Sequence, residues 1–334
     1  MTIKDLSAQT GYSVGTISRV LNNQPNVSEK ARKVILEAAH ATGFQLNTNA
    51  KQLKQQHSNS ILVLVKGTSN QLFGTLVEEF QQHMRDAAHP LTMDYVDEYC
   101  NEVRRALQLC LEKKPRGILF LGGNRQNFLA DFDKIGVPCV LVTDDAAGMP
   151  FPNLSSVSSD DRLASRMAVE ALIAQGHRHF AIIGGDRAVS DTSRLRYEGC
   201  QDAFAAHGIT FDGELDYENV RFSYEGGYQA ACNLLDRGRS FTALFAMSDV
   251  MAIGAIRALN DRGLKVPEDV SVMGFDGLQM GEFICPRLST VCQDPQTIAR
   301  RSVEILLENI EKAQSPRYET VAVCIQLRES VQKL

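Results

Sequence analysis

Arg19 and Gly15 share the outward side of a short helix in the stretch SVGTISRVLNN, residues 13–23. An arginine forks two hydrogen bonds to guanine O6 and N7, or clamps a phosphate oxygen, and the residue type alone leaves both open. A glycine inside a helix costs ~1 kcal/mol against alanine. On an outward face it lets the backbone approach a base edge or a phosphate. Val14 offers apolar surface for a thymine methyl, and Asn22, Ser28 and Arg32 have the chemistry of phosphate positioners. A second set lies far along the chain. Asp249 and Asp276 sit just past apolar strands, where carboxylates accept bonds from hydroxyl groups. The Phe222 ring is suited to cover the apolar face of a sugar, and Arg196 to donate to its oxygens.

The first set needs a small helical scaffold. Thr2 followed by Asp5 is a capping-box pattern, Ile3, Leu6 and Ala8 make an apolar side, and Gly11 is a natural stop. Ser13 caps the next helix, which carries Ile17, Val20 and Leu21 on one face and Gly15, Ser18, Arg19 and Asn22 on the other. Ser28 caps a third helix, with Val34, Ile35 and Ala38 expected inward and Gly43 at its end. Two short helices joined through a glycine turn fit a helix-turn-helix, whose second helix enters the major groove N-terminus first. Charge agrees. Residues 1–57 hold seven Lys and Arg against three Asp and Glu, net +4, and the remainder holds 28 against 37, net −9. A basic module on an acidic body implies that only the first part meets a polyanion.

The second set needs a framework of strands. From SILVLV at 60–65 onward, apolar strands alternate with helical segments, twice over, which predicts α/β architecture in two similar parallel-sheet lobes. Strands are expected at 60–65, 91–96, 117–122, 138–143, 179–185, 217–220, 243–248 and 271–275. Helices are expected at 72–88, 101–113, 161–175, 193–207, 224–236 and 249–262. Ligands bind such sheets at the carboxyl ends of the strands, so a cleft between the lobes is the natural pocket.

The order of these motifs resembles the lactose-repressor (LacI/GalR) family of bacterial transcription regulators. TIKDLSAQTGYSVGTISRVLNN, NVSEKARKVI and ATGFQLN carry the resemblance in the headpiece. In the body it is carried by DTSRLRYEGCQDAF, FSYEGGY, MSDVMAIGAIRALNDRGLKVPEDVSVMGFDG and PRLSTVCQD. The resemblance implies an all-α headpiece over 1–57 with a hinge helix near 47–56. It also implies a two-lobed, periplasmic-binding-protein-like effector and dimerisation domain over 58–334. The first lobe is expected at about 60–159 and 291–322, the second at about 160–290 and 323–334. The DNA contacts expected on this basis are Thr2, Ile3, Val14, Gly15, Thr16, Ser18, Arg19, Asn22, Asn26, Ser28, Arg32, Asn47, Ala50, Lys51 and Leu53. Leu53 stands where the family wedges a leucine into the minor groove. Leu46 replaces the usual hinge proline, and Ala31 replaces a phosphate-contacting threonine. The expected effector contacts are Ser69, Phe73, Asp144, Arg196, Phe222, Asp249 and Asp276. Gly67 and Thr143 replace frequent aspartates, with Asp144 next to the second.

These readings together predict a cytoplasmic homodimeric repressor on a near-palindromic double-stranded operator, controlled by a small-molecule effector, by default a carbohydrate. The competing reading is a solute-binding protein of the periplasmic type, which the basic helix-turn-helix and the absence of a secretory signal in MTIKDLSAQT disfavour. Neither GxGxxG nor GxxxxGKS occurs, the two histidines of GHRHF lack an evident third ligand, and no nucleophile-base pattern is legible. No catalytic residue, metal or cofactor is therefore expected. No apolar run approaches the length that spans a bilayer, so no membrane partner is expected. The eight cysteines are scattered without CxxC or zinc spacing and are expected to be buried, reduced thiols.

Overall fold

The computed structural model describes residues 2–21, 27–42, 58–67, 69–85 and 89–334, except the side chain of Lys4. The chain divides into two compact units, Met1–Ser58 and Asn59–Leu334. Among the described residues no helix is long and apolar enough to cross a membrane.

The first unit is built on helices α1 (Ile3–Thr10), α2 (Val14–Leu21) and α3 (Glu29–Ala41). The capping box forms: the Thr2 hydroxyl accepts from Asp5 N, and the Asp5 carboxylate accepts from Thr2 N at 2.7 Å. Gly11 ends α1 at φ 71°, a left-handed turn that favours glycine. The Ser13 hydroxyl accepts from Thr16 N at 3.2 Å to start α2, and Ser28 caps α3 through Ala31 N. Leu6, Ile17, Val20, Ala31, Ile35 and Ala39 close the core, with Leu21 and Ala38 packed against it. Val34, expected inward, is 37% exposed. Ala31 and Ala39, a turn to either side of Ile35, take the inner face instead, which moves Ala31 into the core. The end of α3 falls at Ala41, and Gly43 lies outside the described residues.

The second unit holds two six-stranded sheets. The first runs β11 (Tyr318–Val321), β5 (Leu154–Ser159), β4 (Cys139–Val142), β3 (Gly117–Leu121), β1 (Ile61–Lys66), β2 (Leu91–Val96), and all its pairings are parallel. The second runs β12 (Cys324–Gln326), β10 (Ser289–Cys292), β9 (Ser271–Asp276), β8 (Ala243–Ala246), β6 (Phe180–Gly184), β7 (Tyr217–Asn219). Only β12 is antiparallel there. In β1, Ile61, Val63 and Val65 join one core cluster and Leu62 and Leu64 the other, so the strand is apolar throughout because both its faces are covered.

Helices α4 (Gln71–His83), α5 (Glu102–Lys113) and α6 (Arg125–Asp131) accompany the first sheet. With the second go α7 (Asp161–Ala174), α8 (Asp191–Ala206), α9 (Tyr224–Asp236), α10 (Asp249–Asp261) and the short α11 (Met280–Phe283). Helix α12 (Pro295–Glu311) packs along α4. The chain therefore passes between the lobes three times, between β5 and α7, β10 and α12, and β11 and β12. Strand β10 belongs to the second sheet through Cys292, so the return to the first lobe falls after it rather than at 291. Val250 and Leu278 of the second lobe pack into the cluster that holds Leu72 and Leu76 of α4, an apolar seam between the lobes.

Candidate functional site

In the first unit, α2 turns Ile17 and Val20 inward and leaves Val14, Gly15 and Arg19 exposed, Val14 at 39%. Among the described residues Arg19 forms no ion pair. Gly15 has no internal reason to be glycine: a Cβ there would meet only Ser13 Oγ, at 3.8 Å. Thr16 and Ser18 are half-buried, and the Thr16 hydroxyl lies 2.9 Å from that of Ser13. Thr2 and Ser28 are exposed, and each hydroxyl caps a helix. Arg32 is half-buried, and Ile3 packs against the core. Asn22, Asn26, Asn47, Ala50, Lys51 and Leu53, and with them the hinge, lie outside the described residues.

In the second unit, a cleft with about 1030 Å³ of free space, mouth included, opens between the lobes. Loops and turns at the carboxyl ends of the strands line it, as expected for open α/β sheets. Ser69 and Phe73 come from the turn into α4, Asp144 follows β4, Phe222 follows β7, Asp276 ends β9, and Arg196 projects from α8. Six of the seven expected residues thus converge.

Asp249 does not. It is wholly buried as the first residue of α10, where Oδ1 accepts from the Thr290 hydroxyl and Oδ2 from Leu278 N, both at 2.6 Å. Burial and the neighbouring Asp276 raise its carboxyl to about 8. Its place just past a strand is right for a ligand contact, but its side chain points under the turn that follows Asp276 and holds that turn.

The cleft floor is acidic. Asp144 accepts from Gly123 N at 3.0 Å and from the Thr192 hydroxyl at 2.9 Å. Burial, then Asp161, lift it to about 7. Asp276 accepts from Gln293 at 2.9 Å and Asn70 at 3.4 Å, and burial raises it to about 6 against the opposing pull of Arg196. Arg196 is committed before any ligand arrives. Its Nε donates to Asp161 at 2.7 Å, Nη1 donates to the Met247 carbonyl, and the guanidinium lies 3.5 Å from the Phe275 ring centre. It reaches Asp276 only at 3.9 Å. Arg196 therefore orders the carboxylates and offers a ligand little of its fork.

The residue-by-residue reading missed much of the mouth. Lys66 lines the cleft but donates to buried Glu102 at 2.6 Å. Asp97, Glu98 and Tyr99 follow β2 and meet Arg221 of the other lobe: Asp97 at 2.8 Å, Glu98 at 3.3 Å, and the Tyr99 ring at 5.0 Å. Asn70 and Gln293 complete the grip on Asp276. The signal was available in the run DEY directly after an expected strand, at the ligand-facing end of its sheet. Further bonds join the lobes beside the cleft: Asn124 to the Val189 carbonyl at 2.6 Å, and Arg125 N to Asp191 at 2.8 Å.

The lining holds Asp97, Glu98, Asp144, Asp186 and Asp276 against Lys66, Arg196 and Arg221, and each of these cations already has a carboxylate partner. Such a surface accepts hydrogen bonds from a polyhydroxyl ligand, presents the Phe73 and Phe222 rings to an apolar face, and repels an anion.

Comparison with known proteins agrees with both units. Residues 2–47 match the family described as bacterial regulatory proteins, lacI family, and residues 169–331 match a periplasmic binding protein-like domain. The transcriptional regulator MalR of Clostridium butyricum is 32% identical over 317 residues, covering 93% of each chain. The regulator GalR of Escherichia coli K12 is 32% identical over 312 residues, covering 92% of this chain and 88% of its own. The solved complex of the transcriptional regulator CelR with cellobiose superposes with a TM-score of 0.73 at 26% identity, over 99% of both chains.

Proposed function

The chain belongs to the lacI family of bacterial regulatory proteins and is a DNA-binding transcriptional regulator, and from that premise we propose how its two units divide the work. Residues 1–57 form the DNA-reading headpiece. Helix α2 enters the major groove, Gly15 lets its backbone come close, Val14 and Arg19 meet base edges, and Ser28 and Arg32 position phosphates. Residues 58–334 form the sensor. The protein acts as a cytoplasmic homodimeric repressor whose two headpieces read the halves of a near-palindrome, matching protein symmetry to DNA symmetry.

The effector of this reading is an uncharged carbohydrate. The observation that carries it is the cleft itself: five lining carboxylates, three cations already paired, and three aromatic rings, Phe73, Tyr99 and Phe222, at the carboxyl ends of two sheets. The structurally similar regulator that carries cellobiose supports the same class. Asp144 and Asp276 accept from ligand hydroxyls, Ser69 and Asn70 add polar contacts from the first lobe, and Phe73 and Phe222 flank the ring. A ligand gripped by both lobes favours one lobe arrangement. It changes DNA affinity by the difference it makes between arrangements, typically ~1–3 kcal/mol.

Thermal unfolding of the full chain with a panel of neutral sugars, sugar phosphates and nucleosides tests this. A neutral sugar at a hundred times its Kd adds about 2.7 kcal/mol to stability, and its phosphorylated form adds none. Stabilisation by the phosphorylated sugars alone would overturn the class.

A further inference from the structure

Two thiols stand opposite each other where the second lobe meets the passages between lobes. Cys292 ends β10, Cys324 opens β12, and the two are direct partners in an antiparallel pair. Such partners have Cα atoms ~4.5–5.5 Å apart, inside the ~4.4–6.8 Å span that a disulfide closes without backbone movement. Cys292 is half-buried beside Gly277, and Cys324 is exposed. All eight cysteines are free, and only Cys139, Cys200 and Cys232 are buried, so the expectation of buried thiols fails for the other five.

Position gives the pair its consequence. Cys292 is the last residue before the chain leaves for α12, and Cys324 is the third residue after it leaves β11. They sit at the second-lobe root of two of the three passages. The next residue, Gln293, donates to Asp276 at 2.9 Å and accepts from Ser159 of the first lobe at 3.0 Å.

We propose that Cys292 and Cys324 form a redox-active thiol pair that hydroperoxides convert to a disulfide, which ties the two passages together at their root. The exposed Cys324 sulfur attacks a peroxide oxygen. The O–O bond breaks, Cys324 becomes a sulfenic acid, and the peroxide leaves as an alcohol, or as water from hydrogen peroxide. The Cys292 sulfur then attacks the Cys324 sulfur. The S–O bond breaks, and the hydroxyl leaves as water with the proton of Cys292. Two thiols lose two electrons and two protons, and a thiol reductant reverses the step. The order follows from the surroundings: burial, then Cys324, push the Cys292 thiol up to about 12, so it stays protonated while Cys324 meets the oxidant.

The test is mass spectrometry of the full chain after hydrogen peroxide, with remaining thiols alkylated before digestion. The expected product is a peptide linking Cys292 to Cys324 within one chain, lighter by about 2 Da than its reduced halves and restored by dithiothreitol. Cys324→Ser abolishes the link, and Cys292→Ser leaves a sulfenic acid at Cys324 that dimedone traps. The oxidised chain also exchanges the amide hydrogens of 293–294 and 322–323 more slowly. A Cys324 that oxidises while Cys292 remains alkylated overturns the pair, as does a link formed only between chains or only between other cysteines. Unchanged exchange in the linked protein overturns the tether. None of these outcomes depends on the identity of the effector.

Discussion

A Cβ on Gly15 would meet nothing closer than Ser13 Oγ at 3.8 Å, so the fold gains nothing from glycine there. Gly15→Ala is expected to leave stability unchanged or raise it by up to ~1 kcal/mol, while weakening DNA binding. Equal affinity of variant and parent in fluorescence anisotropy would remove the close-approach argument. Arg19→Ala should cost ~1–3 kcal/mol of operator affinity and relax preference at one base position, with unfolding unchanged. Asp249 makes a residue-scale prediction of a different kind. The folded chain holds its proton to about pH 8, and the ordinary carboxyl value is 3.8. The folded state therefore binds more protons than the unfolded state between those values, and this group makes stability fall as pH rises through that window. Asp249→Asn, with no proton to lose, should reduce the slope of stability against pH in chemical denaturation; an unaltered slope would contradict the assignment. At this scale Asp276 and Phe222 were legible, because the end of a strand tells which edge of the sheet a residue occupies. Asp249 was misread because the same rule does not say which way a side chain turns. Arg196 was legible as a cleft residue, but its commitment to Asp161 was not, since the two lie 35 positions apart.

Elements built from apolar periodicity were easy to find, and those built from satisfied polar groups were not. Strand β1 was expected within a residue of where it stands, and β2 and α9 at their observed limits. Strand β5, LSSVSS, had no expected counterpart because its serines interrupt any apolar run, yet all six residues are buried. Three of the four hydroxyls have partners that explain this: Ser155 accepts from Arg317 N at 3.1 Å, Ser156 donates to Asp145 at 2.9 Å, and Ser159 donates to Gln293 at 3.0 Å. Burial without penalty follows from those partners. The loops after β2 and β7 are the elements that close the cleft mouth, through Arg221 on Asp97 and Glu98. The Arg221 and Asp97 side chains are about half exposed, so Arg221→Ala should cost at most ~1 kcal/mol of stability. It should nonetheless weaken effector binding several-fold by isothermal titration, since the bridge holds the two lips together. A large loss of stability with unchanged effector affinity would place the bridge in the scaffold instead.

At the scale of the molecule, a basic helical unit and an acidic two-lobed unit lie on one chain. Deleting residues 1–57 should abolish DNA binding and preserve effector-induced stabilisation of the remainder. Retained DNA binding would mean that the acidic body carries the nucleic-acid surface. Binding by the whole chain should weaken steeply with added salt, because phosphate contacts release counterions. The two-lobe architecture was legible from the repeated alternation of strands and helices. The three passages between lobes did not follow from that alternation, since β5, β10, β11 and β12 carry no clear periodicity; they were expected from the family resemblance alone, near 159/160, 290/291 and 322/323. The most direct test of the account is the affinity of the full chain for a duplex selected from random sequence, measured with and without a saturating neutral sugar found by thermal shift. The account predicts a change of roughly 5- to 150-fold that Phe222→Ala greatly reduces. An unchanged Kd, with the sugar demonstrably bound, would contradict the claim that the cleft controls the DNA-binding unit.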